Sequence, residues 1–423
     1  MSTQHNETMT PRAAWMLILA ASTILMITMG ARLTTGLFLS PINTSTGLGI
    51  ASISFAMAIA QLMWGASQPL FGAIADKYGP ARVIVIGGLM LAIGTAATPF
   101  VSSEWGLILT MGVLSASGAG AGSFSILIGA TAQRLPAERR AFASGFINAG
   151  GSFGQFVFAP LMQAIIASAG WVMAMLTMAA TTLLTIPLAL GMRKKPAVPV
   201  APAAASGPAP AVPAPPGMSL TEQLRQAMRD RSYLCLHLGF FTCGFHIAFL
   251  VTHLPQEVAL CGLSAGVSAT ALALIGLFNI LGSLGAGALA NRFRMKSLLG
   301  WIYAGRALVI ALYLMAPKTA LTFYLFAGAL GVTWLATVPP TAGLVGKLLG
   351  MRYLATLFGM TLLSHQIGGF FGAWLGGLSF VRFGDYTWMW YADIALAIAA
   401  ALVNLPIREQ PVVRPAMLAA AKG

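Results

Sequence analysis

The sequence predicts an all-α membrane protein: twelve transmembrane helices in two pseudo-symmetric six-helix bundles, with both termini cytoplasmic. Three observations carry this reading. The 423 residues are 57% hydrophobic and only 8% charged, with a mean hydropathy of +0.81, whereas soluble domains carry roughly 25% charged residues. Apolar segments of the roughly 20 residues needed to cross hydrocarbon occur twelve times. A tract of alanine and proline divides them six and six.

In order, residues 1–12 form a polar cytoplasmic N-terminus, and spans follow near 13–39, 51–75, 81–101, 105–131, 141–168 and 171–192. The first is too long for the apolar core of a cleaved signal and no small-residue cleavage site follows it, so it is read as a retained helix. Residues 13–192 make the first bundle. Residues 193–231 form a cytoplasmic linker whose "KKPAVPVAPAAASGPAPAVPAPPG" can neither complete helical hydrogen bonds nor bury a core. Its end, "LTEQLRQAMRDR", has the spacing of a short surface helix. The second bundle, 232–406, has spans near 232–254, 264–290, 297–316, 319–346, 353–379 and 386–406, and 407–423 is a cytoplasmic tail. In the tenth span "VPP", Val338 to Pro340, removes backbone donors and bends the helix.

The net charge of +14 does not point to nucleic acid, because no basic groove or aromatic-interleaved patch accompanies it. With both ends cytoplasmic, 20 of the 24 Lys and Arg fall in inner loops and tails, which is the positive-inside pattern. Contact with anionic lipids follows from it. Lys318 and Arg382 lie in outer loops, and Arg32 and Arg306 lie inside spans. Cys235, Cys243 and Cys261 have no metal-ligand spacing and are read as packing residues.

The two halves repeat. "GAIADKYGPAR", Gly72 to Arg82, aligns with "GALANRFRMK", Gly287 to Lys296, and "GGSFG", Gly150 to Gly154, aligns with "GGFFG", Gly368 to Gly372. The offsets, 215 and 218, are nearly equal and fall in equivalent spans. The loop after span two resembles the signature loop of the major facilitator superfamily, with Gly72, Asp76, Lys77, Gly79 and Arg82 filling it. That resemblance implies a fold of two bundles about a central cavity. It also implies a conformational latch at Asp76, with Lys77 and Arg82 as its charged surroundings or simply as topology anchors.

"GARLTTGLFLSP", "FFTCGFHIAFLVTHLP", "ALIGLFNILGS", "VPPTAGLVG" and "SHQIGGFFGAWLGG" look like a bacterial branch related to monocarboxylate porters and oxalate/formate exchangers. Those relatives move small organic anions, often with protons, though some carry neutral or larger solutes such as riboflavin. The chain departs from them in span eight, which lacks their charged residues, and in span eleven, which has His365 and no Lys. Span four has Leu114 where drug/proton antiporters tend to carry an Arg, so efflux of drug-like compounds is the weaker alternative.

Every ionisable group in hydrocarbon needs a partner or a role. Arg32 has two readings: a cavity-facing fork for a substrate carboxylate, or a structural arginine that pairs with a protein carboxylate or snorkels to the interface. Helical spacing puts Thr35 and Gly36 on its face, while spans one to six hold no interior Asp or Glu to pair with it. Arg306 in span nine and Asp393 in span twelve are expected to form a structural ion pair. His246, Asn279, Trp334, His365 and Gln366 join Arg32 and Thr35 as candidate substrate-binding residues, a histidine there being able to carry a proton.

No paired-carboxylate cleft, metal-ligand motif, phosphate loop or nucleophile set supports an enzyme, a metal or a cofactor. The expectation is a multi-pass inner-membrane transporter, working as a monomer and moving a small organic solute by alternating access. A monocarboxylate-type anion is expected, with proton symport as an option; a neutral metabolite such as a vitamin is the alternative, and a solute sensor that has lost turnover is a further one.

Overall fold

The computed structural model describes residues 11–132, 134–135, 137–192, 219–290, 292–350 and 354–412. The expected proline-rich tract and both chain ends lie outside these residues. All the regular structure described is helical. Span one is Pro11–Leu33, continued by a 3-10 turn at Thr35–Phe38 and a helix at Leu39–Thr46; span two is Ile50–Tyr78 and span three Pro80–Ala97. Span four opens at Glu104–Leu107, passes through a π-helix at Ile108–Ser115, and continues as Ala116–Ala121 and Phe124–Ala132. Spans five and six share the run Ala137–Thr182, turned at Gly170 where φ is +84°. Thr185–Leu190 completes span six.

In the second half, the short helix Leu220–Ala227 begins with a capping box between Ser219 and Glu222. Span seven is Arg231–Leu260, capped by Asp230. Span eight is Ala265–Leu289 and span nine Met295–Met315. Span ten comes in two pieces, Ala320–Thr333 and Val338–Leu349; span eleven is Leu354–Phe383 and span twelve Thr387–Asn404. Ten stretches have the length and hydropathy to cross a membrane. One of them, 145–190, contains two passages, and the 30 residues of span eleven are also long enough to cross. Twelve passages result.

Lipid tails are as apolar as leucine, so helices in a bilayer associate through close packing and small residues. The repeated glycine motif does this in both halves. A Cβ at Gly154 would stand 2.1 Å from the carbonyl oxygen of Met26, and one at Gly150 would stand 2.7 Å from that of Ser22, so span five lies directly on span one. In the second half a Cβ at Gly372 would be 2.1 Å from the Phe245 oxygen and one at Gly368 2.0 Å from that of Phe241, laying span eleven on span seven. The internal repeat is therefore a pair of equivalent backbone contacts.

The halves meet along three seams. Gly36 of span one abuts the carbonyls of Val251 and Thr252 in span seven; Gly377 and Gly65 face Ser54 and Gln366 between spans two and eleven; and Gly276 faces Ser152 between spans eight and five. These contacts lie at mid-depth and at the end remote from the chain termini. Toward the linker end, Gly72, Gly145, Gly285 and Gly359 face open space and Leu70, Ile74 and Tyr78 are exposed. The molecule is closed at its far end and splayed at the linker end.

The signature loop is a tight joint. Gly79 has φ +92°, a conformation that L side chains rarely adopt, and Pro80 begins span three immediately after it. Arg82 is exposed. The side chains of Asp76 and Lys77, and with them the expected latch, lie outside the described residues.

The linker end of the second half carries a clamp. Glu409 accepts from the Lys296 backbone N–H at 2.8 Å and lies 3.3 Å from Lys347 Nζ, while Lys296 Nζ donates to Leu405 O and Val412 N to Leu348 O.

Gly372→Ala is expected to lower the unfolding temperature in detergent by the equivalent of roughly 1–3 kcal/mol of overpacking. Gly359→Ala, at a helical glycine with open space around it, should leave it unchanged or raise it. Equal effects at the two positions would contradict the packing role.

Candidate substrate site

Two of the spans that face the molecule's interior are broken, and the breaks organise its polar groups. In span one regular α-helix ends at Leu33, directly after Arg32. Thr34 Oγ1 donates back to Gly30 O at 2.8 Å and Thr35 Oγ1 to Arg32 O at 3.0 Å, so hydroxyls take up carbonyls at the break. The change of direction separates residues that an unbroken helix would put on one face. Arg32 and Thr35 line a cavity, whereas Gly36, expected beside them, is turned onto span seven. There an added Cβ would lie 2.0 Å from Val251 O.

The cavity lies within the first half. It is lined by Ala31, Arg32, Thr35 and Phe38 of span one and by Met57, Ala60 and Gln61 of span two. Leu91, Thr95 and Thr98 come from span three, Met111, Ser115, Ala116 and Ala119 from span four, and Met175 and Met178 from span six. The wide turn of the π-helix presents Met111 and Ser115, and Thr95 and Ser115 hydroxyls meet at 3.0 Å. Arg32 Nη2 donates to Gln61 Oε1, and the guanidinium lies 4.2 Å from the centre of the Trp64 ring. Among the described residues, no carboxylate lies within ion-pair distance of Arg32 and its Nε and Nη1 make no hydrogen bond. An amide and an aromatic face hold the guanidinium, with donors left over among the described residues.

The break in span ten decides where the remaining polar residues go. Its first piece ends at Thr333 and its second begins at Val338. The two prolines open the second piece, at a position where a missing N–H costs nothing, so the expected bend is an interruption just before them. Main-chain groups freed in hydrocarbon need partners. Arg306 supplies them: Nη2 donates to Thr333 O at 2.6 Å and to Trp334 O at 3.1 Å. Asn279 Oδ1 accepts from Leu335 N at 3.0 Å and from Ser283 Oγ, and its Nδ2 donates to Ser152 Oγ across the seam.

The expected ion pair between Arg306 and Asp393 is not what forms. Asp393 Oδ2 pairs with His246 Nδ1 at 2.5 Å, both fully buried, while Arg306 caps the open end of a half-helix, where the negative end of the helix dipole attracts a cation. The physical reason is the break itself, which presents two carbonyls to the guanidinium.

Of the residues expected to contact substrate, Arg32 and Thr35 line the cavity and the other five do not. His246 is bound to Asp393 and Asn279 to the break. Trp334 is fully buried with its ring 5.6 Å from that of His246. His365 Nδ1 meets Gln366 Nε2 at 3.1 Å, within reach of the charges of both Arg32 and Arg306. Gln366 packs against Gly65 in the seam. Thr95, Thr98, Ser115 and the four methionines gave no signal in the sequence, since hydroxyls and methionines occur throughout the spans, whereas Gln61 is an intramembrane amide of the kind that lines cavities.

The sequence pattern of the Major Facilitator Superfamily matches residues 19–373. The chain belongs to that superfamily. It is a transporter, a multi-pass membrane protein of the twelve-helix facilitator fold. Among its relatives, the oxalate:formate antiporter of Oxalobacter formigenes is 24% identical over 406 residues, covering 93% of this chain and 91% of the relative. Monocarboxylate transporter 13 of Bos taurus is 26% identical over 401 residues, covering 93% and 89%. In three dimensions this facilitator resembles a D-xylose-proton symporter with a TM-score of 0.71 at 15% identity, covering 95% and 100%. It also resembles an inward-facing bacterial homolog of the lysosomal transporter Spinster, with a TM-score of 0.68 at 14% identity, covering 94% and 95%. Both structural likenesses concern the fold alone.

Two outcomes check this geometry. Gly36→Ala must push spans one and seven apart at the far end. In a background with Cys235 and Cys261 replaced by Ser, a cysteine at the buried Ser54 position of the neighbouring seam should then react faster with maleimide. Arg306→Gln should lower stability in detergent by roughly 2–5 kcal/mol through lost charge-assisted hydrogen bonds, with no rescue by adding Asp393→Asn. Rescue would restore the ion pair between those two residues.

Proposed function

We propose that this facilitator carries a small monocarboxylate-type organic anion by alternating access, with Arg32 as the charged anchor. One observation supports the reading above the others: a half-buried arginine on the cavity wall with free donors and, among the described residues, no protein carboxylate. A planar guanidinium matches a carboxylate in two parallel hydrogen bonds, and an anion there would offset the cost of keeping a bare charge in the membrane, about 2.5–3.5 kcal/mol on insertion scales. Thr35, Thr95 and Ser115 offer hydroxyls to the rest of the solute, and methionines adapt to its shape.

Cavity size supports the small anion. The cavity is about 50 Å³, where a bound water takes roughly 10–15 Å³. A carboxylate of two or three carbons suits that space. The names of the relatives, an oxalate:formate antiporter and a monocarboxylate transporter, favour the same class. With the termini cytoplasmic, as the lysine and arginine distribution predicts, the splayed end opens inward and the far-end seams form the outer gate.

Counterflow in proteoliposomes with labelled formate, oxalate, acetate and lactate tests the proposal. At least one should exchange, and Arg32→Ala should weaken its apparent affinity by roughly 10- to 150-fold, the loss of a charge-assisted hydrogen bond. Arg32→Lys should recover part of the loss. Exchange of a neutral solute that is indifferent to Arg32→Ala would overturn the anion reading.

A further inference from the structure

We infer that His246 and Asp393 together form a proton-binding site in the second half of the protein, separate from the substrate cavity, and that its occupancy sets the far-end gate. The inference rests on the transport reading above and extends it to the coupling ion. Asp393 on span twelve and His246 on span seven are both fully buried and in contact through Oδ2 and Nδ1. Among the described residues, each keeps one polar atom without a partner, Oδ1 of Asp393 and Nε2 of His246. A carboxylate and an imidazole in contact share one proton through the bonded atoms, so the two open atoms are places for a second. Such a pair titrates as a unit.

The surroundings define a proton site. The cavity that Arg32 lines does not include the pair. Arg306 of span nine is the fixed positive charge nearby, with Nε and Nη1 also unpartnered. The neutral titratable groups are Tyr303 on span nine, Cys243 one turn before His246 on span seven, and His365 on span eleven; span ten contributes the unpartnered Trp334 Nε1. With Asp393 ionised, His246 neutral and Arg306 charged, this group has no net charge, and adding a proton makes it +1. Loading the pair while an anion sits on Arg32 thus adds one charge of each sign to the membrane interior, which is the condition for moving both without net charge.

Span seven connects the pair to the gate. Val251, whose carbonyl meets Gly36 in the far-end seam, lies five residues beyond His246, about 7.5 Å along the helix. Gly36 in turn lies four residues beyond Arg32. Protonation changes how span seven is held against span twelve, and the same helix carries the change to the seam beside the anion site.

The test reads the gate directly and needs no substrate. Nitroxide labels are placed at the exposed positions 44 and 264, at the far ends of the two halves, with Cys235 and Cys261 replaced by Ser and the buried Cys243 kept. Distances between the labels are then measured in nanodiscs from about pH 5 to about pH 8. Two distance populations are expected, their ratio changing by up to about tenfold per pH unit, the limit for one proton. His246→Gln and Asp393→Asn should each hold the ratio constant.

A wild type that does not respond, or a response that survives in either variant, overturns the proposal. Should neither variant fold, the wild type decides by infrared spectroscopy with carboxyl-labelled aspartate. Of the four aspartates, Asp230 and Asp385 lie outside the spans, Asp76 lies in the last turn of the span-two helix beyond the apolar stretch that ends at Gly72, and Asp393 alone lies within an apolar stretch. Either a protonated aspartate or a doubly protonated imidazole must then titrate with the midpoint of the distance change, and differing midpoints overturn the proposal. A failed counterflow assay would remove the anion reading and leave this result standing.

Discussion

In hydrocarbon, a main-chain carbonyl released from its helix has no water to turn to, and this constraint governs the interior of the protein. Span one is interrupted after Arg32 and span ten at 334–337, and each interruption is closed by side chains. At the first, the hydroxyls of Thr34 and Thr35 return to the preceding turn. At the second, Arg306 takes two carbonyls and Asn279 takes an amide. Once those commitments are made, the remaining polar residues have few places to go. Asp393 is left to His246, and Arg32 is left with a glutamine, an indole face and a cavity.

Around these breaks the protein is held by backbone proximity. Span five on span one and span eleven on span seven meet at glycines whose Cβ positions are occupied by a neighbour's carbonyl. The four helices form two equivalent pairs, which gives each half a stiff centre. The second half is further tied at its linker end by Glu409, Lys296 and Lys347. Stiff halves are suited to moving as units about the seams between them.

The spans, their division into two sets of six and the repeat were readable in the sequence because each follows from a local rule: enough apolar residues to cross, proline where helix cannot continue, glycine where backbones touch. Arg32 stood out for the same reason, as a charge without an acidic partner in its own half. The partners of Arg306 and Asp393 were not readable. Arg306 binds main-chain carbonyls, which have no letter in a sequence, and Asp393 meets a histidine 147 residues away. Opposite charges in spans nine and twelve suggest a pair, but say nothing about the carbonyls of span ten that Arg306 meets. The π-helix of span four and the turn that sends Gly36 away from Arg32 were hidden likewise, since propensity does not mark where a helix changes its pitch.

The cap on span ten has a consequence for divergence. Because Arg306 answers to the break and Asp393 answers to His246, the two charges belong to different selective units despite lying in neighbouring spans. A lineage that rejoins span ten into one helix frees Arg306 and Asn279 to drift together. Across descendants of this chain, substitutions should therefore travel as Arg306 with Asn279 and as His246 with Asp393, with little exchange between the two pairs.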